Sequence, residues 1–497
     1  MERIKEGHRY LAGKMICGYR FPERWYLLLL LMLVMPVLAV AQQRVAGRVV
    51  CEGKGVKDVV VSCGAATVRT DARGRYVLYP DAAEKFVQIS VPSGYKVHCD
   101  TTIPRFYKKI TTAGNAYDFT LSRNPVDDNK HVFFAQADVQ VTSQEDLAAY
   151  RKEVVSDMLA HLDTYRGQDV FGIDLGDMVG DTPSLFPDYI HSMAPLNIPF
   201  YRAIGNHDMA YWGRSFETSE RTFNDYFGPT LFSFNKGKAH YIVLNNNFYV
   251  GRDYFYMGYV DERTFRWLQR DLSYVPKGSV VFVMMHIPTQ LQKAQQPFVY
   301  DYSTIADQTV NAAALHKMLE GYNAHIISGH MHYNLNVVYN DALYEHNTAA
   351  ACATWWQAPV CLDGTPRGYA VYEVEGNSVK WHYKSAGFDQ SHQFRSYYQQ
   401  NKDTLQVIAN VWNYDEKWKV EWLENGELMG TMKPFSGFDP LAYAYCSDKE
   451  KIKYDWISPI ETTHLFKATL REPGSRVQVR VTDRFGRVYL EEVKKDK

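Results

Sequence analysis

The chain has 497 residues, 46% hydrophobic and 22% charged, a composition of folded globular domains that excludes a disordered or coiled-coil protein. At one domain per roughly 100–200 residues, the length asks for about three cores. A formal charge of −1 gives no electrostatic case for nucleic acid or an anionic membrane as main partner, so any anion must be held locally. The 14% aromatic share leans towards β-rich modules, because rings suit pleated, half-buried surfaces.

Residues 1–41 are expected to be an export signal. Lys5, Arg9, Lys14, Arg20 and Arg24 precede an apolar run from Trp25 to Leu38, and Ala39-Val40-Ala41 supplies the small-x-small pattern for cleavage. The mature chain would begin at Gln42, exported to the periplasm or cell surface with no stable membrane span; a retained anchor is disfavoured because the run is short for a spanning helix. Cys17 leaves with the signal, and Cys51, Cys63, Cys99, Cys352, Cys361 and Cys446 remain. None forms a C-x-x-C pair, which removes zinc-ribbon and thioredoxin-type sites. Cys51 with Cys63, or Cys352 with Cys361, could close disulfides in an oxidising compartment; free buried thiols are the alternative.

From 42 to 124 short β-runs alternate with turns. Val45 to Val50, Val56 to Ser62, Arg75 to Tyr79 and Phe86 to Val91 are separated by Gly53-Lys54-Gly55, Asp71-Ala72-Arg73-Gly74 and the start of Pro92-Ser93-Gly94, a pattern of a small antiparallel sandwich. The stretch from Gly47-Arg48-Val49-Val50 to Thr70-Asp71-Ala72-Arg73-Gly74-Arg75-Tyr76 resembles the transthyretin-like or carboxypeptidase-regulatory-like modules attached to exported enzymes. Such a resemblance implies packing or attachment and no chemistry.

Between 129 and 387, strand-like runs at His131 to Ala135, Val170 to Leu175, Pro199 to Ile204, Val280 to Met285 and Ala324 to Ser328 alternate with helical stretches. In Glu145 to Tyr165, Leu147, Tyr150, Val154, Met158 and Leu162 recur at helical spacing, and Thr142 with Glu145 makes a capping box. Asp261 to Tyr274 and Thr309 to Leu319 have the same character. The alternation predicts a layered α/β core with strands buried on both faces. From 390 to 497 the β pattern returns, in Leu405 to Trp412, Trp418 to Leu423 and Val477 to Val481, with a turn at Glu424-Asn425-Gly426 and no evident site.

The chemistry lies where the central runs end. In order these are Ala137-Asp138-Val139-Gln140, Leu175-Gly176-Asp177-Met178-Val179-Gly180-Asp181, Ile204-Gly205-Asn206-His207-Asp208, Met285-His286-Ile287-Pro288 and Ser328-Gly329-His330-Met331-His332. Groups just past strand carboxyl ends converge along one edge of an α/β sheet, and convergence is what a metal site requires. Each piece alone is weak: Gly-Asp is commonly a turn, and a lone His such as His161, His240 or His382 is more often a satisfied core residue. All of them together, each behind an apolar strand, are hard to explain as packing.

This order of motifs resembles the calcineurin-like metallophosphoesterase superfamily, whose pattern is D-x-H, G-D-x-x, G-N-H-D/E, a lone H and G-H-x-H. The likeness runs from Asp138 to His332, and Trp355-Trp356, Asp363-Gly364-Thr365-Pro366-Arg367-Gly368-Tyr369 and the two β modules resemble an exported, three-part branch of it. It implies a central layered αββα core flanked by two small all-β sandwich-like domains. It also implies a metal-dependent hydrolase of phosphomonoesters or phosphodiesters, in which a bridging hydroxide attacks phosphorus at two divalent ions such as Mn, Fe or Zn. Asp138, Asp177 and His332 would bind one metal and Asp177, Asn206, His286 and His330 the other, with Asp177 shared. His207 would be the general acid and Asp208 would fix its tautomer, unless both serve only to shape their loop.

Gln140 stands where the family usually has His, and an amide oxygen is a poorer ligand for borderline metals, so the first site should bind more weakly or prefer a harder ion. Expected substrates are small-molecule or envelope phosphate esters, with no nucleic acid; the loop from Gln290 to Ile305 would choose among them. Trp355 and Trp356 would either floor a substrate groove or pack beneath the third module. An exported peptidase is the enzymatic rival, and the chain has neither H-E-x-x-H nor H-x-x-E-H. A surface-binding protein with a decayed core is the rival from another class, and only Gln140 departs from the motif set.

Overall fold

Continuous apolar runs need cover on both faces, and the central segment supplies it with two stacked sheets. The computed structural model describes residues 43–494 apart from 112–115, 211–212, 214, 252–255, 293–300, 402–403 and 473; the expected export signal lies outside them. One sheet has the order Phe200–Arg202, Asp169–Asp174, Lys130–Gln136, Gly368–Glu375, Ser378–Ser385, its first three strands parallel and its last two antiparallel. The other has the order Phe232–Lys236, Ala239–Val243, Val280–Met284, Asn323–Ser328, Leu343–Asn347, Leu335–Asn340, with four parallel inner strands. Rings fill the space between them: Phe133 of the first sheet meets Phe282 and Tyr241 of the second edge-on, at centroid distances of 5.0 and 5.6 Å.

Helices close the outer faces. Leu147, Tyr150, Val154 and Met158 pack on Val132, Phe134, Tyr369 and Val371 of the first sheet. Trp267 and Leu268 of the helix Glu262–Leu272, with Leu315 and Leu319 of Ala312–Leu319, pack on Ile242, Val281, Val283 and Ile326 of the second. The layers are therefore αββα. The helix expected at Glu145 to Tyr165 is interrupted: Gln144–Tyr150 and Ser156–Leu162 are α-helical, Arg151–Val155 is a π turn and Asp163–Tyr165 is 3₁₀. Its cap lies one residue later than Thr142, because Ser143 accepts the Asp146 N–H at 3.2 Å while Thr142 N and Oγ1 both donate to the Asp146 carboxylate.

The N-terminal segment forms a five-stranded, a four-stranded and a two-stranded sheet; it is not purely antiparallel as expected, because Val45–Cys51 pairs with Phe119–Arg123 in parallel, and its core does not close on itself. Phe106 meets Phe232 of the second central sheet at 4.5 Å, Val91 bridges Phe234, and Val61 and Ile89 belong to the same buried cluster as Phe133 and Tyr241. The C-terminal segment is a sandwich of two four-stranded sheets around Val407, Trp418, Val479 and Val481. All six cysteines among the described residues are free thiols, so neither Cys51 and Cys63 nor Cys352 and Cys361 are bridged. No helix among the described residues is long and apolar enough to cross a membrane.

Candidate metal centre

The strands of both sheets end at the same edge, and the chain must turn sharply there to aim side chains inward. Asp138, Gln140, Asp177, His330 and His332 all adopt left-handed backbone, with φ of 54°, 41°, 55°, 75° and 52°. Non-glycine residues in this region cost on the order of 1–3 kcal/mol each and cluster where function demands a geometry. Two glycines of the motifs have a steric reason. A Cβ on Gly176 would lie 2.6 Å from His286 Nδ1, and one on Gly205 would lie 2.1 Å from Asp177 Oδ1.

One cluster centres on His286 Nε2. It lies 3.2 Å from Asp177 Oδ2, 3.0 Å from Asn206 Oδ1 and 3.1 Å from His330 Nδ1. His286 Nδ1–H donates to the Leu175 carbonyl at 2.8 Å, which leaves Nε2 as the free lone pair. Donor-to-donor separations near 3 Å are those of ligands about 2.0–2.2 Å from a shared cation. Burial disfavours an imidazolium at His286, yet Asp177 outweighs it and raises His286 to about 9, so the cluster wants a positive charge.

Asp138 and His332 form the second cluster. His332 Nδ1–H donates to the Ala353 carbonyl at 3.0 Å, and Nε2 faces Asp138 Oδ1 at 3.8 Å. That Nε2 is buried with no hydrogen-bond partner, and burial holds the ring neutral, down to about 3. Burial also pushes the Asp138 carboxyl up to about 7. An orphaned neutral imidazole nitrogen facing a buried carboxylate fits a cation between them. Gln140 does not present its oxygen here: Nε2 donates to Asp177 Oδ2 at 3.0 Å and Oε1 faces the Cys352 thiol at 3.9 Å. It braces the shared carboxylate in this arrangement, because the amide has a donor to offer where imidazole would offer a lone pair.

His207 and Asp208 part company. His207 is 31% exposed at the side chain, and its Nδ1 pairs with Asp181 Oδ1 at 2.7 Å. Burial works against its charged form, but Asp177 and Asp181 raise it to about 9, leaving a proton available at neutral pH. Asp208, expected to orient His207, turns the other way: Oδ2 accepts from Asp177 N and Gly205 N, and Oδ1 from Met178 N and Val179 N. A fully buried carboxylate surrounded by unpaired backbone N–H groups satisfies them first. Asp208 therefore shapes the loop, and the partner of His207 is Asp181, whose only trace in the sequence was a second acid in the run from Gly176. Trp355 stacks on His332 at 4.1 Å, whereas Trp356 donates Nε1–H to the Val139 carbonyl. Of the selecting loop, 293–300 lies outside the described residues.

The layered fold and the donors at its strand ends are those of a metallophosphoesterase core. Residues 133–334 match the family model for the calcineurin-like phosphoesterase, 43–124 that for its N terminal and 345–489 that for its C terminal. The chain belongs to the calcineurin-like phosphoesterases, with both flanking parts, and is a phosphoric ester hydrolase. Among solved structures it is similar to a dimetal phosphatase from Danio rerio, with 13% identity and a TM-score of 0.37 over 51% of this chain and 96% of that one. It is also similar to a purple acid phosphatase from yellow lupin (Lupinus luteus), with 11% identity and a TM-score of 0.36 over 66% of this chain and 67% of that one. A 5′-nucleotidase from Candida albicans has 12% identity and a TM-score of 0.32 over 53% of this chain and 52% of that one. No curated protein sequence matches the chain.

Proposed function

We propose that the chain is an exported phosphoesterase working with two divalent cations. The observation that carries the reading is the meeting of Asp177, Asn206 and His330 around His286 Nε2, within 3.2 Å of that atom. Asp177, Asn206, His286 and His330 would hold one cation, and Asp138, His332 and Asp177 the other. When bound, the pair supplies a water acidified to hydroxide for attack on phosphorus and neutralises charge on the phosphoryl oxygens. His207, oriented by Asp181, gives its proton to the departing alkoxide. Leu175 and Ala353 carbonyls fix the imidazole tautomers, and Asp208 holds the loop that carries Asn206 and His207. The basic and apolar run of residues 1–41 supports export of the mature chain.

The test is hydrolysis of para-nitrophenyl phosphate and its bis-ester, with Mn²⁺ supplied, against a peptide panel. Esters should be cleaved and Asp177→Ala should abolish the activity; cleavage of peptides alone would show a different metallohydrolase. With Gln140 turned to brace Asp177, dialysed protein should keep one metal equivalent per chain and lose the other, whereas Gln140→His should keep both. Two equally tight equivalents in the parent protein would contradict this.

A further inference from the structure

The segment leading out of the catalytic core forms a recess with the C-terminal module, next to the metal centre. Its volume is about 340 Å³, and Gln140, Trp355, Gln357, Lys453 and Tyr454 line it together with Ser143 and Glu145. Gln140 and Trp355 join it to the centre, the first bonded to Asp177 and the second lying flat on His332 at an interplanar angle of 18°. Trp456 meets Trp355 edge-on at 4.6 Å and Tyr454 stacks on Trp456 at 5.4 Å, which continues the aromatic surface outwards.

Two features go beyond packing, and a third fixes the walls of the recess. Trp355 and Trp356 both have left-handed backbone, φ 44° and 63°, which bulky residues adopt only where the surroundings force it. Trp456 is 58% exposed, a large ring left at the surface beside a cleft. Gln357 accepts the Lys453 backbone N–H through Oε1, while its Nε2 is buried without a hydrogen-bond partner. The bond to Lys453 ties the segment carrying Lys453 and Tyr454 to the segment carrying Trp355, which fixes the two walls of the recess against each other.

An apolar platform with the Glu145 carboxylate as acceptor beside it suits a ring with apolar C–H faces and hydroxyls around its edge. A nucleobase gains most from rings on both faces, but Trp355 has one face on His332 and Tyr454 is stacked on Trp456, so the platform is one-sided. Glu145 and Asp146 outnumber Lys453 in the lining, so the recess does not favour additional phosphates and tolerates hydroxyls. We infer that this recess holds the sugar ring of a sugar phosphate whose phosphoryl group lies at the metal centre. The inference rests on the phosphoesterase reading and names its substrate class.

The experiment compares kcat/KM of the metal-loaded protein on glucose 1-phosphate and glucose 6-phosphate, on ringless glycerol 3-phosphate and on adenosine 5′-monophosphate. Trp456→Ala and Tyr454→Ala should each lower kcat/KM on a hexose phosphate by about tenfold or more and leave glycerol 3-phosphate within about twofold, with Trp456→Phe and Tyr454→Phe recovering most of the loss. An unchanged hexose phosphate rate, equal losses on both esters, or a variant-sensitive preference for the nucleotide would overturn the sugar assignment. A parent protein that cleaves glycerol 3-phosphate but no hexose phosphate sinks that assignment alone. One that cleaves none of the esters sinks the phosphoesterase reading with it.

Discussion

At Gly205 one hydrogen atom decides whether the cradle can form. A Cβ there would meet Asp177 Oδ1 at 2.1 Å and Asp177 N at 2.2 Å, both backbone and ligand. Gly205→Ala should therefore push Asp177 out of place and lower activity by about 10²-fold, since displacement of about 1 Å suffices for that; metal analysis should show fewer equivalents, and full occupancy would argue against the shared-aspartate geometry. His207 and Asp181 make a different prediction. A general acid contributes about 10²–10⁴-fold only where the leaving group needs a proton. Asp181→Asn and His207→Ala should slow an alkyl phosphate far more than para-nitrophenyl phosphate, and equal losses on the two would mean that His207 serves binding instead. The motif positions were legible because each ligand follows its strand within a few residues. The role of Asp208 was not, because four N–H groups reach it only after the loops from 176 and 205 have met.

Among elements, the connection between centre and C-terminal module runs through Asp363. It is fully buried, accepts from Asn334 N at 2.9 Å and from Thr365 N and Oγ1, and faces His464 Nε2 of the C-terminal module at 3.1 Å. Its carbonyl accepts from Asn410 of the same module at 2.8 Å. Asn334 comes two residues after His332, so this hub also anchors the turn carrying the last histidines. Asp363→Ala leaves those donors and His464 without their acceptor and should destabilise the protein by about 3 kcal/mol, measured by urea unfolding. Unchanged unfolding and metal retention would mean that the module is an independent appendage. The sequence contained this run, Asp363 to Tyr369, yet nothing in it named His464 as partner, 101 residues away.

For the whole molecule, buried neutral histidines set a pH limit apart from the metal ligands. Burial lowers His131, His161 and His392 to about 4 and His325 to about 3, each from 6.5. Unfolded chains take up these protons below pH 6.5 while the folded chain does not. The stability they contribute is complete above pH 6.5 and is lost as pH falls towards 4 and then 3. In metal-free protein, where ligand protonation cannot release a cation, the urea midpoint should fall across that window, and His325→Phe should flatten part of the slope; a midpoint independent of pH would contradict the burial of these rings as neutral groups. The shared cluster of Val61, Ile89, Phe133 and Tyr241 makes the N-terminal part a wall of the same core.

Sequence order alone determined the three-part organisation, the alternation that becomes αββα, and the residue types placed just past each strand. Those properties are local: periodicity is read over a few residues, and a ligand next to a strand end is carried there by covalent connection. Tertiary structure decided which partner each side chain takes. Asp208 went to backbone and Asp181 to His207, Gln140 turned its amide donor to Asp177, the helix from Gln144 took in a π turn, and the cysteines stayed apart. Such choices depend on which distant groups burial leaves unsatisfied, and that is settled only when the sheets close.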